Sequence, residues 1–486
     1  MDLPTLPPEL REEVLHGVAR NAAAPVAVLR RLMRAPWAVR TLAWEHPCMT
    51  EELAAELLAL DDNSMTEALA CNQSLPIAYR RRLTAHPSEQ VRRAAVHESR
   101  HHDADAPCDL AAELAVLADD PSAFVRAAVA EHYDAPDTVR AKLLVDPDPG
   151  VRRALALGWW TPPAHVLRTL LTDPDPEVRS AALAMHGTPP ADLHDALLAH
   201  PLTRADTAPH VALTPALAAE LARDPDEHVR AAVVRNPGLP PRLRAELEAE
   251  RNCPVRYAVL CSPYTGHDDR IRLYDELCAA VDADDEIWRY TESYLSSAWL
   301  SGSLAWLARS PVADRVAALD SPLDFLRCGV AMNTADLPPG AFARVLHDRA
   351  PEVQRVAALY AESIRPEELE RIVAAHGDMD LAKFTEGIQT RPDFPADAYP
   401  RLAASENEMV RARAAGRDLP AALLESLIAD PEPFVREAAA ANPGLPAHRL
   451  PGLLTGEPTP FIAVAVGMSP NLPVDWMTAL LAAEGL

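Results

Sequence analysis

Apolar residues in this chain recur at i, i+3 and i+4 in short blocks, and proline, asparagine or glycine closes each block before the next begins. The clearest copy runs from Asp224 to Leu247, D-P-D-E-H-V-R-A-A-V-V-R-N-P-G-L-P-P-R-L-R-A-E-L. Asp224-Pro225 supplies an acceptor for free backbone N–H groups and a pre-set φ at a helix start. Val229, Ala232 and Val233 then share one apolar face, and Asn236-Pro237-Gly238 stops the helix. Pro240 and Pro241 open a second helix, with Leu243 and Leu247 one turn apart and arginine and glutamate turned to water. Two helices this short cannot bury their apolar faces alone, so neighbouring copies must stack. The pattern predicts an all-α fold, a solenoid of helix pairs.

The slot of Val229 is filled by Val14, Val39, Met65, Val91, Val125, Val151 and Val178, and later by Val255, Leu326, Val353, Phe384, Val410, Val435 and Ile462, mostly 25 to 27 residues apart. Arginine follows this anchor in most copies, and aspartate precedes it by five at 120, 146, 173, 224, 348 and 430. The 51-residue step from Val178 to Val229 predicts a degenerate copy within 200–222. Helix stops recur as N-P-G-L-P at Asn236 and Asn442, N-T-A-D-L-P at Asn333 and S-P-N-L-P at Ser469.

The pattern D-P-x-x-x-V-R-x-A-A-V-x-x-N-P-x-L-P, followed by a leucine-rich second helix, resembles the leucine-rich repeat variant family, a relative of the HEAT-like α-solenoids, over about 85% of the chain. The resemblance implies a right-handed superhelix of helix pairs, a second helix that is short or 3₁₀, and a binding role. One described member of that family holds an iron–sulfur cluster on an N-terminal cysteine cluster. The seven cysteines here, at 48, 71, 108, 253, 261, 278 and 328, do not match it and have no C-x-x-C spacing.

Two departures from the period divide the chain. The step from Val91 to Val125 is 34, with the extra residues after Val96, and the step from Val255 to Leu326 is 71. The expected organisation is an N-terminal array over 1–255 with an insertion at 97–108, irregular aromatic-rich repeats over 256–310, and a C-terminal array over 311–486, together one continuous solenoid. Eight of the seventeen Trp and Tyr residues fall between Tyr257 and Trp306, which marks that segment as individual.

Charge narrows the partners. A formal net charge of −25 disfavours nucleic acid and anionic membrane surfaces, leaving a protein or peptide, basic or neutral. Lys142 and Lys383 are the sole lysines, so nearly all positive charge is guanidinium, suited to bidentate pairing with carboxylates. Acidic residues near the N-terminus and the lack of any apolar run of about 18 residues argue against a signal peptide or membrane span, and a cytoplasmic location is expected.

Four features carry candidate chemistry. His97-Glu98-Ser99-Arg100-His101 reads H-E-x-x-H, in which His97 and His101 one helical turn apart can hold zinc and Glu98 can act as general base. The third ligand is open, and chance occurrence is the competing account. Second, the aspartate before and arginine after the anchor (Asp120, Arg126, Asp146, Arg152, Asp173, Arg179, Asp224, Arg230, Asp430, Arg436) can pair within or between repeats as a structural ladder. The alternative is a phosphate-reading row, as in HEAT-like DNA glycosylases. Third, Trp288, Tyr290, Tyr294, Trp299 and Trp306 are a partner-binding aromatic set or the filling of a wider core. Fourth, Trp159-Trp160 point to different faces of a turn, so an exposed one is expected to meet a partner, a cap against the next helix being the competing account. The reading that results is a non-enzymatic scaffold or adaptor, without cofactor, binding protein or peptide on the solenoid surface. A zinc-dependent hydrolase is the alternative, and a HEAT-like DNA-binding protein or glycosylase the second alternative.

Overall fold

The computed structural model of the chain describes residues 6–97, 111–250, 253–282, 304–375, 388, 391–455 and 458–486. Among these residues the regular elements are helices, packed as neighbouring pairs along the chain, which is the arrangement of an α-solenoid. The first helix of each pair carries the anchor. Val14, Val91, Val125, Val151, Val178, Val255, Val353, Val410 and Val435 are completely buried. Met65 stays half-buried, and Phe384 lies outside the described residues.

The 51-residue gap holds the expected extra copy. The helix Pro201–Thr207 has buried Thr203 in the anchor slot, and its second helix is Pro215–Leu221. Most second helices are short, His267–Asp282 with 16 residues being the exception, and three begin with a 3₁₀ turn, at Ala191–Leu193, Ala396–Ala398 and Ala447–Arg449.

Helix starts differ from the expectation by two residues. Asp226, not Asp224, caps the Glu227–Val233 helix, its carboxylate accepting the His228 N–H at 2.8 Å. Asp148 and Asp175 cap their helices in the same way. Asp224 instead accepts the Asp226 N–H at 2.9 Å and turns its other oxygen to the preceding repeat. The D-P-D triplet therefore divides two tasks between its two carboxylates.

The asparagine stops do more than end a helix. Asn236 donates from Nδ2 to the Ala208 and Val211 carbonyls of the preceding repeat at 2.8 and 2.9 Å, while its Oδ1 accepts the Gly238 N–H at 2.8 Å. Asn72 and Asn442 repeat the contact. Arginines of the second helices satisfy the remaining free carbonyls. Arg80, completely buried, donates to the Ala70 and Asn72 carbonyls, and Arg270 to those of Leu260 and Ser262.

The chain forms two compact units, one of residues 1–159, 377–380 and 395–486, the other of residues 160–376 and 381–394. One division falls at Trp159–Trp160 and the other lies between residues 376 and 395. The first unit is also built from both ends of the chain. Its Pro8–Ala19 helix packs on the Pro460–Met468 helix, where a Cβ on Gly17 would lie 2.1 Å from the Val464 carbonyl oxygen and one on Gly467 would lie 2.0 Å from that of Val14. The two backbones touch, which glycine at both positions permits. Asn21 completes this seam by donating to the Gly467 and Ser469 carbonyls at 2.9 and 2.7 Å, as an internal asparagine does to its preceding repeat.

Candidate functional site

The face of the first helices is sorted by register. The anchor goes to the core. The next residue, arginine, is committed to a carbonyl of its own repeat and, in several copies, to a carboxylate of the following one. Arg126 Nη1 donates to the Asp120 carbonyl at 2.7 Å, and its Nε and Nη2 grip Asp146 of the following repeat at 2.7 and 2.9 Å. Arg92 holds Asp120 by the same two-pronged contact, Arg327 holds Asp348 and Arg411 holds Asp430. Arg204, from the degenerate copy, reaches Asp224 at 2.8 Å, and in the next two repeats Arg230 and Arg256 take Glu250 and Glu276 instead. Arg152, Arg179 and Arg436 bind the backbone carbonyls of Asp146, Asp173 and Asp430 in their own repeats.

The two-pronged arginine–aspartate pairs are largely shielded from water, at 13% and 6% side-chain exposure for Arg126 and Asp146, whereas Glu276 is 47% exposed. Burial pushes the Asp120 and Asp146 carboxyls up. Their arginine partners and the N–H two residues on outweigh it and hold both below the usual carboxylate range. For Asp430 the Arg411 contact is itself the largest influence, in the same direction.

What the ladder leaves over is the surface one residue before the anchor and two, three or six after it. In the repeats of Thr203, Val229 and Val255 this surface encloses a cavity of about 610 Å³ in the second unit. His228 and Ala231 share one face of the Glu227–Val233 helix, and Arg235 follows two residues past its end. Ala205, Ala231, Ala232 and Ala258 keep the floor low, while Tyr257, Trp306 and Arg309 form the walls. Trp306 is fixed there by its indole N–H donating to the Cys261 carbonyl at 2.9 Å, with the Arg270 guanidinium 5.8 Å from the ring centre. Burial pushes the Cys261 thiol up to about 11, so it stays protonated at neutral pH.

Asp206 and Arg235 set the electrostatics. Both line this cavity and a second one of about 600 Å³ beside it, which reaches His210 and Thr188. Neither side chain makes an ion pair or hydrogen bond among the described residues. Burial pushes the Asp206 carboxyl up, against the pull of Arg235 and His210. It lowers the Arg235 guanidinium, against the pull of Asp206. Arg235 nevertheless keeps an exposed surface, the condition of a charge inside an open concavity with protein on most sides. Each charge would gain from a counter-charge brought from outside.

The sequence-predicted residues distribute unevenly around this site. Trp306 lines it. Trp159 is buried beneath Arg140, at 5.4 Å, and Trp160 is 73% exposed on the surface. Trp288, Tyr290, Tyr294 and Trp299 lie outside the described residues. His97 is the last residue of the Glu89–His97 helix, and Glu98 and His101 lie outside the described residues. Asp206, His228 and Arg235 were not singled out by sequence. The signal available was register: Arg235 stands six residues after an anchor, on the face that the ladder does not use.

No family model matches the chain, and no curated protein matches it. Among solved structures similar to it is one described as an engineered protein from a structural genomics programme, with 15% identity, coverage of 83% of this chain and 98% of that one, and a TM-score of 0.15. That likeness carries no argument about function. No helix among the described residues is long and apolar enough to cross a membrane.

Proposed function

We propose that the protein is a non-enzymatic scaffold or adaptor of the cytoplasm, a member of the leucine-rich repeat variant group of HEAT-like solenoids, that binds a protein or peptide segment in the groove around Arg235. The observation behind this reading is the pair Asp206 and Arg235, without a hydrogen bond or ion pair among the described residues, in an aromatic-walled cavity, where arginines such as Arg126, Arg230 and Arg327 are tied to the following repeat. An extended segment offers alternating donors, acceptors and side chains that answer both charges while its apolar groups rest on Tyr257, Trp306 and the alanine floor.

The test is selection from a displayed random-peptide library against the full chain, with counter-selection on an Asp206→Arg/Arg235→Glu double variant of matching circular dichroism. Peptides that bind the wild type and lose about tenfold or more on the double variant, the scale of one charge-assisted hydrogen bond, support the reading. Equal binding to both proteins, or no enrichment, rejects it.

A further inference from the structure

The same helix face takes a different character in the first unit. In the repeats of Val410, Val435 and Ile462 it encloses a cavity of about 460 Å³ whose walls are Met409, Phe434, Val464 and Met468 over a floor of alanines. Phe461, one repeat beyond Phe434 in the same slot, is 68% exposed, and Met468 is 39% exposed. Among the described residues lining this cavity, one is charged, Glu437. It is half-buried and makes no ion pair or hydrogen bond among the described residues. The nearby ladder arginines cannot serve it, because Arg411 is held by Asp430 and Arg436 by the Asp430 and Pro431 carbonyls. Burial pushes the Glu437 carboxyl up, as expected of a carboxylate that lacks a counter-ion.

We infer that this face is a second, separate docking site, for an amphipathic helix of a partner protein that carries a lysine or arginine within its apolar stripe. Three features specify that occupant. The Met and Phe side chains offer an adaptable apolar bed. The lone carboxylate sets a position for one cation, which it would meet away from competing water. The three first helices, at the usual 8 to 10 Å between packed axes, match an α-helix of roughly 16 residues, about 24 Å long. The net charge of −25 speaks against an acidic occupant. The site shares no residue with the groove around Arg235 and stands or falls independently of it.

Fluorescence anisotropy tests this with the full chain and three labelled peptides of about 16 residues. The first has a Leu/Met stripe with one central lysine on that stripe, the second places glutamate there, and the third has the composition of the first in scrambled order. Binding should follow the order lysine, glutamate, scrambled, with about tenfold between the first two, the scale of one charge-assisted hydrogen bond. Glu437→Lys should reverse the preference between the first two, and Glu437→Gln should abolish it while leaving the fold intact by circular dichroism. The Asp206→Arg/Arg235→Glu double variant should bind all three as the wild type does. Equal affinity for the amphipathic and scrambled peptides, a preference unmoved by Glu437→Lys, or no saturable binding would overturn the inference. So would a wild-type dimer in light scattering that Glu437→Lys dissociates, which would give the face to a second copy of this chain.

Discussion

Arg230 and Arg235 stand five residues apart at one end of one repeat, and they live differently. Arg230 donates to both oxygens of Glu250 and to the Asp224 carbonyl at 2.8 Å. Arg235 has the same guanidinium, faces a cavity and holds nothing among the described residues. Composition cannot separate them; register together with what the adjacent repeats present can. A charge one residue after the anchor lies over the seam between repeats, where carboxylates and free carbonyls converge. Arg235, six residues after it, lies where the neighbouring repeats offer alanine, proline and aromatic side chains, whereas Arg20 and Glu45, six residues after Val14 and Val39, find each other across two repeats. In this repeat the contrast separates an arginine that holds the array together from one that remains available to something else.

Removing a clamped partner should hurt most. Asp146→Ala leaves Arg126 without its two-pronged acceptor and the Asp148 N–H without its own. It should destabilise the protein by about 2–3 kcal/mol, read as a lowered urea midpoint, because stranding a shielded charge costs more than its pair contributes. A loss under about 0.5 kcal/mol would place the ladder with ordinary surface ion pairs.

Titration sharpens the same contrast with opposite signs. Asp120, Asp146 and Asp430 have depressed folded-state values, so their stabilisation is complete above the unfolded carboxyl value near 4 and is lost as pH falls through the lower folded values. Asp206 is raised. Its contribution is present below about pH 4 and is lost as pH rises through its folded value, because the ionised form is the disfavoured one in the groove. Asp206→Asn should therefore raise the melting temperature at pH 7, with the gain shrinking toward pH 4. A gain independent of pH would mean that charge is not the cause.

The smallest effect is expected at Arg235. Arg235→Ala should change stability by no more than about 0.5 kcal/mol, the range for surface positions without partners. A larger loss in chemical denaturation would reveal a structural role and weaken the case for an open binding groove.

The parts of this architecture that sequence exposes are those that repeat in kind. Valine at a fixed spacing, arginine after it and proline at the boundaries announce helix pairs, and even the degenerate copy at Thr203 keeps its arginine at position 204. What stays hidden depends on long reach. Asn236 looks like a local stop, and nothing in its neighbours says that its amide crosses to the carbonyls of Ala208 and Val211. Arg80 and Arg270 look like solvated charges on polar helices, yet they are buried against helix ends. The groove is less legible still, because Asp206 and Arg235 belong to different repeats and become a site only once the stacking brings them to one cavity. Trp306 was picked out for its chemistry, and its fixed position came from a hydrogen bond to Cys261 that no spacing rule supplies.

The seam between the first and last repeats carries a kinetic signature. Asn21 reaches across 446 residues to Gly467, whereas Asn236 reaches across 28 to Ala208 for an equivalent contact. That is about four doublings of the intervening chain, and roughly 2.4 kcal/mol more closure entropy at the point of contact. Nearest-neighbour stacking along the array is a run of short, inexpensive closures, while this join must wait for much of the chain. It would form late and open early, and a proline- or glycine-rich tether from Leu486 to the first repeat would turn it into one more short-range step.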